Sequence, residues 1–232
     1  MIVRLQTTTS TMKDAAVLAA RGEPHGTAVI AQSQTAGIGR QGHTWHSADS
    51  GGLYISIILR LAIAPSEMPI LTMALGLAVQ RAVNDMALVS CDLRWPNDVM
   101  LSDRKLAGTI VQAAEGALIA GIGLNVNQRE FPADLAETAT SLKIETGREH
   151  SKDALADRII AESLRHSSLL AERGKREILR RFEESSTWPR GKAVEVDGKI
   201  RGVTAGLDEN GFLLVRTPDR LETILAGGVR PL

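Results

Sequence analysis

Three apolar, β-branched runs follow one another at residues 93–101, 106–113 and 117–125, separated only by Ser-Asp-Arg-Lys and Ala-Glu-Gly. Connections this short close hairpins, whereas parallel neighbours need a crossover of a dozen residues or more. The run therefore predicts an antiparallel meander. Residues 65–86 place apolar side chains at helical spacing over several turns, a helix to lie on that sheet. Residues 11–20 read as a short amphipathic helix, with Ser10 or Thr11 as its cap and Gly22 beyond its end. Residues 27–33 and 53–61 read as strands, 131–150 as a polar loop, and 153–170 and 173–185 as two helices. After Trp188 the texture changes to short alternating segments with turn signals at Asp197-Gly198, Asn210-Gly211 and Thr217-Pro218-Asp219. That pattern predicts a small β-barrel, dividing the chain into domains 1–187 and 188–232.

Charge narrows the partners. Lys plus Arg and Asp plus Glu both number 27, so no overall field draws the chain to nucleic acid or to an anionic membrane. The single cysteine, Cys91, cannot form an internal disulfide. The amino terminus lacks a signal-peptide core, and no apolar run is long enough to span a bilayer; cytoplasm is the expected compartment.

Between the strands at 27–33 and 53–61 lies Gly37-Ile38-Gly39-Arg40-Gln41-Gly42, a literal G-x-G-x-x-G. A dinucleotide fingerprint also needs a following helix and an acidic residue about twenty positions on, and neither is present. The glycines can still let backbone N–H groups converge on an anion, with Arg40 adding a fork-shaped cation; a plain surface connection is the alternative. Arg94-Trp95-Pro96-Asn97-Asp98 places a proline inside an otherwise strand-like run, which predicts an edge or bulge where side chains are re-aimed. Asn97 and Asp98 offer acceptors there, although Asn-Asp after Pro is commonly a turn. Lys105 heads the next strand, where a lone lysine is ordinarily solvated. Gly108, Gly121 and Gly123 interrupt apolar strands, which weakens them unless something must lie close against the backbone.

In this order, Ser-Thr near the start, Q-T-A-G-x-G-R-x-G-x-x-W, W-P-N-D, R-K-L-A-G and G-I-G-L-N-V-N, the sequence resembles the biotin protein ligases over nearly its whole length. The resemblance implies an α+β fold: a mixed β-sheet flanked by helices, like the class II aminoacyl-tRNA synthetase core, followed by an SH3-like barrel. It implies a two-step reaction in which ATP and biotin give biotinyl-AMP, and biotin then passes to one lysine of a carboxylase carrier domain. Mg²⁺ is expected with the nucleotide, with its protein ligands unassigned. Joining two anions requires cations and donors at the reacting centre. Lys105, Arg40 and Asp98 are the implied catalytic residues, with Asp98 orienting or deprotonating the acceptor lysine. Ser10, Thr11, Gln34, Gly37, Gly39, Arg40, Lys105 and Gly108 are the implied biotin contacts, and Arg40, Trp45, Asn97, Lys105, Gly123 and Asn125 the implied ATP contacts. The glycine loop is implied to close over the adenylate and keep water from it.

The chain departs from the family pattern where that loop usually reads G-R-G-R-x-G-R. Ile38 and His43 replace two arginines, and Met12 stands where asparagine is common. A charged hydrogen bond of this kind contributes about 1.5–3 kcal/mol, so a slower ligase, or a weak binder of biotin or its adenylate, is an alternative. A lipoate-type ligase on the same core is another. The pattern starts within the first dozen residues, so a preceding helix-turn-helix and DNA binding are not expected; a homodimer is left open.

Overall fold

The computed structural model describes residues 1–42, 44–47 and 51–232. Its larger sheet has seven strands: β1 (Ile2–Thr8), β2 (Ala28–Gln34), β3 (Gly52–Leu59), β4 (Asp92–Arg94), β5 (Asp98–Leu101), β6 (Arg104–Ala114) and β7 (Ala117–Asn125). Their order is β1-β2-β3-β7-β6-β5-β4. Only β1 and β2 run parallel, joined by helix α1 (Thr11–Ala20); all other pairs are antiparallel, including the expected meander.

The sheet is covered unequally. Helices α2 (Met68–Ala87) and α4 (Lys152–Arg173) pack on one face and build the large core with Ile55, Ile57, Leu71, Leu75, Ile122 and Leu124. On the other face α1 covers only one end, through Met12, Ala15 and Ala19 against Val29, Ile58 and Ile119. Residues alternate in β7, so Ile119 points to α1 while Ala120, Ile122 and Leu124 point to the large core. Gly121 and Gly123 therefore share the α1 face, Gly121 under Met12 of the helix and Gly123 under Trp45.

Three sequence expectations change. No strand was expected before Thr11, yet Ile2–Thr8 forms β1; as an edge strand it is nowhere fully buried, so it lacks an apolar signature. The run at 93–101 is not one bulged strand but two, β4 and β5, folded around a turn at Trp95-Pro96-Asn97 whose Trp95–Pro96 bond is cis. The loop at 131–150 contains a short helix, α3 (Leu142–Thr146), whose start is capped by the Ser141 hydroxyl accepting from the Ile144 N–H.

Helix α5 (Lys175–Ser185) leads to five further strands, β8 (Arg190–Val196), β9 (Ile200–Leu207), β10 (Leu213–Arg216), β11 (Leu221–Ile224) and β12 (Val229–Pro231). They form an antiparallel sheet of order β11-β10-β9-β8-β12. Its apolar residues Val194, Val196, Leu213 and Val215 belong to the same continuous core as α2. Across the junction the Trp95 indole N–H donates to the Gly211 carbonyl at 2.8 Å, and the Ser186 hydroxyl donates to the Leu93 carbonyl. Among the described residues no helix is long and apolar enough to cross a membrane.

In α4, His166 is 4% exposed and bonds the Glu162 carbonyl through Nδ1 at 2.9 Å. Burial lowers its pKa; the Glu162 carbonyl opposes and Arg165 reinforces that shift. The unfolded chain then binds the proton more readily, so this contribution to stability is present above the ordinary histidine range, about 6.5, and is lost as pH falls below it. Urea unfolding at pH 7.5 and 5.5 should show a smaller acid loss for His166→Gln than for the parent; equal losses would remove His166 as the cause.

Candidate active site

A cavity of about 1110 Å³ opens on the glycine-bearing face of the larger sheet, between α1, the 37–47 loop and the edge of the C-terminal sheet. Its wall changes character strand by strand.

At the β2–β3 end it is polar and uncharged. Ser10 occupies the N-cap position of α1 in extended backbone, yet its hydroxyl makes no cap bond. Gln34 of β2 supplies the acceptor instead: its Oε1 takes the Thr11 N–H at 2.9 Å and the Thr11 hydroxyl at 3.1 Å. The Ser56 hydroxyl of β3 donates to Thr11 Oγ1 at 2.8 Å. The Ser10 hydroxyl is thereby left buried and without a partner. A buried hydroxyl is costly unless bonded, so this end is built to meet a polar ligand group.

In the middle the wall is bare backbone. Gly108 and Gly123 are register partners on β6 and β7. A Cβ at Gly108 would lie 2.9 Å from the Trp45 indole, and one at Gly123 only 2.5 Å from it. The indole thus rests on the sheet because these two positions carry no side chain. A Cβ at Gly121 would lie 2.7 Å from Met12 Sδ and 2.9 Å from Ile110. Ile38 packs against the same apolar cluster as Met12 and bridges to Thr44, so two of the three departures from the family pattern meet on one patch.

At the β5–β6 end the wall is charged. Lys105 Nζ is 2.6 Å from Asp98 Oδ1, and Arg94 donates to Asp98 Oδ2 at 2.8 Å. Burial alone would raise the Asp98 pKa; the charges and hydrogen bonds of Lys105 and Arg94 outweigh it and hold the carboxyl below its ordinary value. Lys105 also faces the Trp45 ring, 5.3 Å from its centroid. Arg40 starts a short 3-10 turn at Arg40–Gly42 and donates to Asn97 Oδ1 at 3.0 Å. Asn97 is held in turn by donating to the Thr109 carbonyl at 3.1 Å. Burial lowers the Arg40 pKa, against the pull of Asp98 and of Asp197 from the C-terminal sheet. Among the described residues no group of three or more His, Cys, Asp or Glu side chains is arranged to hold a metal ion.

Of the residues singled out from the sequence, Ser10, Thr11, Gln34, Gly39, Arg40, Trp45, Asn97, Asp98, Lys105, Gly108 and Gly123 all line this cavity. Gly37 and Asn125 stand outside that wall. A Cβ at Gly37 would lie 2.8 Å from the Trp45 carbonyl, so Gly37 serves the fold of the loop. Asn125, expected on the nucleotide side, spends its Nδ2 on the Thr140 carbonyl at 3.0 Å and the Lys105 carbonyl at 3.4 Å, and so braces the Lys105 strand. His43 lies outside the described residues. Cys91 is buried, and its thiol is pushed up to about 12 by burial and Asp92, which makes it inert. Sequence reasoning missed Arg94 and Ser56; an Arg four residues before an Asp across a Pro-Asn turn was the available signal for Arg94.

Residues 3–128 match the biotin/lipoate A/B protein ligase family, and residues 191–229 the biotin protein ligase C terminal domain. The bifunctional ligase/repressor BirA of Bacillus subtilis is 33% identical over 95% of this chain and 70% of its own length. The biotin–[acetyl-CoA-carboxylase] ligase of Mycobacterium tuberculosis is 29% identical over 96% of this chain and 85% of its own. Among solved structures, the biotin protein ligase from Aquifex aeolicus in complex with biotin and ATP superposes with a TM-score of 0.88 at 30% identity, covering 100% of this chain and 99% of that one.

Proposed function

The chain is a ligase of the biotin/lipoate A/B protein ligase family, and from that premise we propose that it condenses biotin with ATP and passes the biotinyl group to a lysine of a carboxylase carrier domain. One observation carries the reading: the cavity wall runs from neutral polar groups on β2 and β3, across glycine positions on β7 and β6, to the cations Lys105 on β6 and Arg40 on the loop. Two strand spacings separate β3 from Lys105 on β6, about 10 Å. An elongated ligand with a neutral hydrogen-bonding head and an anionic tail fits that gradient, and biotin has this form.

In this reading the ureido ring meets Ser10, Thr11 and Gln34, and the unpartnered Ser10 hydroxyl finds its bond there. The acyl chain passes beside the Trp45 indole, which itself occupies the strip at Gly108 and Gly123 and keeps water from the mixed anhydride. Lys105 and Arg40 neutralise the charge that builds as the carboxylate attacks the α-phosphorus. Mg²⁺ would arrive on the phosphates of ATP and would supply positive charge to the departing pyrophosphate. In the second step the acceptor amine displaces AMP, with Asp98 orienting it.

Incubation with biotin, Mg²⁺, ATP and labelled pyrophosphate should carry label into ATP in a biotin-dependent way. Absence of exchange with intact biotin binding would instead favour the weak-binder reading, which the apolar seat of Ile38 motivates. Thermal-shift titration separates biotin from lipoate: a ligand at about a hundred times its Kd stabilises by about 2.7 kcal/mol. A larger shift with lipoate would reassign the substrate.

A further inference from the structure

Asp98 has two cationic partners of different character. Arg94 faces it as the register partner across the β4–β5 hairpin, with the two side chains 19% and 14% exposed. The guanidinium of Arg94 also lies 5.5 Å from the ring centroid of Trp188, itself 5% exposed. A planar cation held between a carboxylate oxygen at 2.8 Å and an aromatic face has little freedom left. Lys105 is the opposite case: a flexible stem, one third exposed, with the Trp45 ring beside it.

That asymmetry bears on the reaction. Lys105 can neutralise a carboxylate and a phosphate only if its charge is not already consumed by Asp98. Removing it from a carboxylate with no other partner would strand a buried anion, which is strongly unfavourable. We infer that Arg94 is a positioning residue: it remains on Asp98 as the standing counter-charge, so that Lys105 is free to leave Asp98 and meet the reacting anions. Charge counting agrees. Around Asp98 stand Arg94, Lys105 and Arg40, two positive charges in excess, whereas without Arg94 the Lys105–Asp98 pair is neutral and Arg40 acts alone. The inference rests on the assignment of Lys105 to adenylation.

The test compares the parent with Arg94→Gln, Arg94→Lys and the double variant Arg94→Gln/Asp98→Asn. In pyrophosphate exchange, R94Q should lose about tenfold to hundredfold in kcat with little change in the KM for biotin. R94K, which keeps the charge and loses the fork, should fall between. Neutralising Asp98 releases Lys105, so the double variant should exchange faster than R94Q; a residue that merely supports folding would make it slower. A second readout needs no substrate: acetylation of Lys105 by acetic anhydride, scored by mass spectrometry against exposed Lys13 and Lys199, should slow in R94Q and recover in the double variant. Parent-like exchange in R94Q, a double variant no faster than R94Q, or unchanged Lys105 labelling would each overturn the inference. A parent without biotin-dependent exchange counts against the ligase reading instead, and the labelling arm still decides the role of Arg94.

Discussion

Lys105→Ala lowers biotin-dependent pyrophosphate exchange by about 10²- to 10³-fold, the scale expected when a preorganised charge is removed from a transition state. The melting temperature stays near that of the parent. The two effects separate because the side chain is one third exposed and because Arg94 keeps Asp98 paired after the amine is gone. The backbone of Lys105 is held independently: its N–H donates to the Thr138 carbonyl at 2.8 Å and its carbonyl accepts the Thr140 N–H at 3.0 Å. Exchange measured beside a thermal melt checks both halves. A near-parental rate would remove the central catalytic assignment, and a collapsed melt would show the residue to be structural.

The second large effect comes from adding atoms. Gly123→Val places a side chain where a Cβ alone would stand 2.5 Å from Trp45 Cε2 and 2.8 Å from Cζ2, so the indole must leave its seat. Valine suits a strand better than glycine, so the sheet is not weakened. Loss of the closed loop should lower the adenylation rate by about 10²-fold, the cost of misplacing groups around a reacting centre. Trp45 emission should shift to the red as the ring enters water, with Trp45→Phe variants separating its signal from Trp95 and Trp188. Parental activity with unchanged emission would show that the loop does not depend on the bare strip.

What could be read from the sequence was what local periodicity controls. The helix under the sheet announced itself by apolar spacing, and the meander by the shortness of its connections. Edge strand β1 did not, because an exposed edge needs no apolar signature. The 95–97 turn was read as a bulge because Val99, Met100 and Leu101 continue the apolar texture beyond it. Within the site, glycines placed in strands signalled a close approach but not its occupant, since Trp45 reaches Gly123 from a distant part of the chain. Arg94 escaped because a strand arginine has no local mark of burial; only the hairpin and Trp188 show it is held. Asn125 shows the converse: an asparagine beside glycines suggests a ligand, while the structure shows its amide donating to backbone carbonyls.

The bond from the Trp95 indole to the Gly211 carbonyl has an evolutionary corollary. The last five strands cannot be traded between relatives as an independent cassette, because the residue they grip is next but one to Asn97, which holds Arg40. A chimaera joined at position 188 would inherit a foreign receptor for that indole, and any mismatch would be felt first at the turn that carries Asn97. Drift in the tail is thereby yoked to drift in the chemistry.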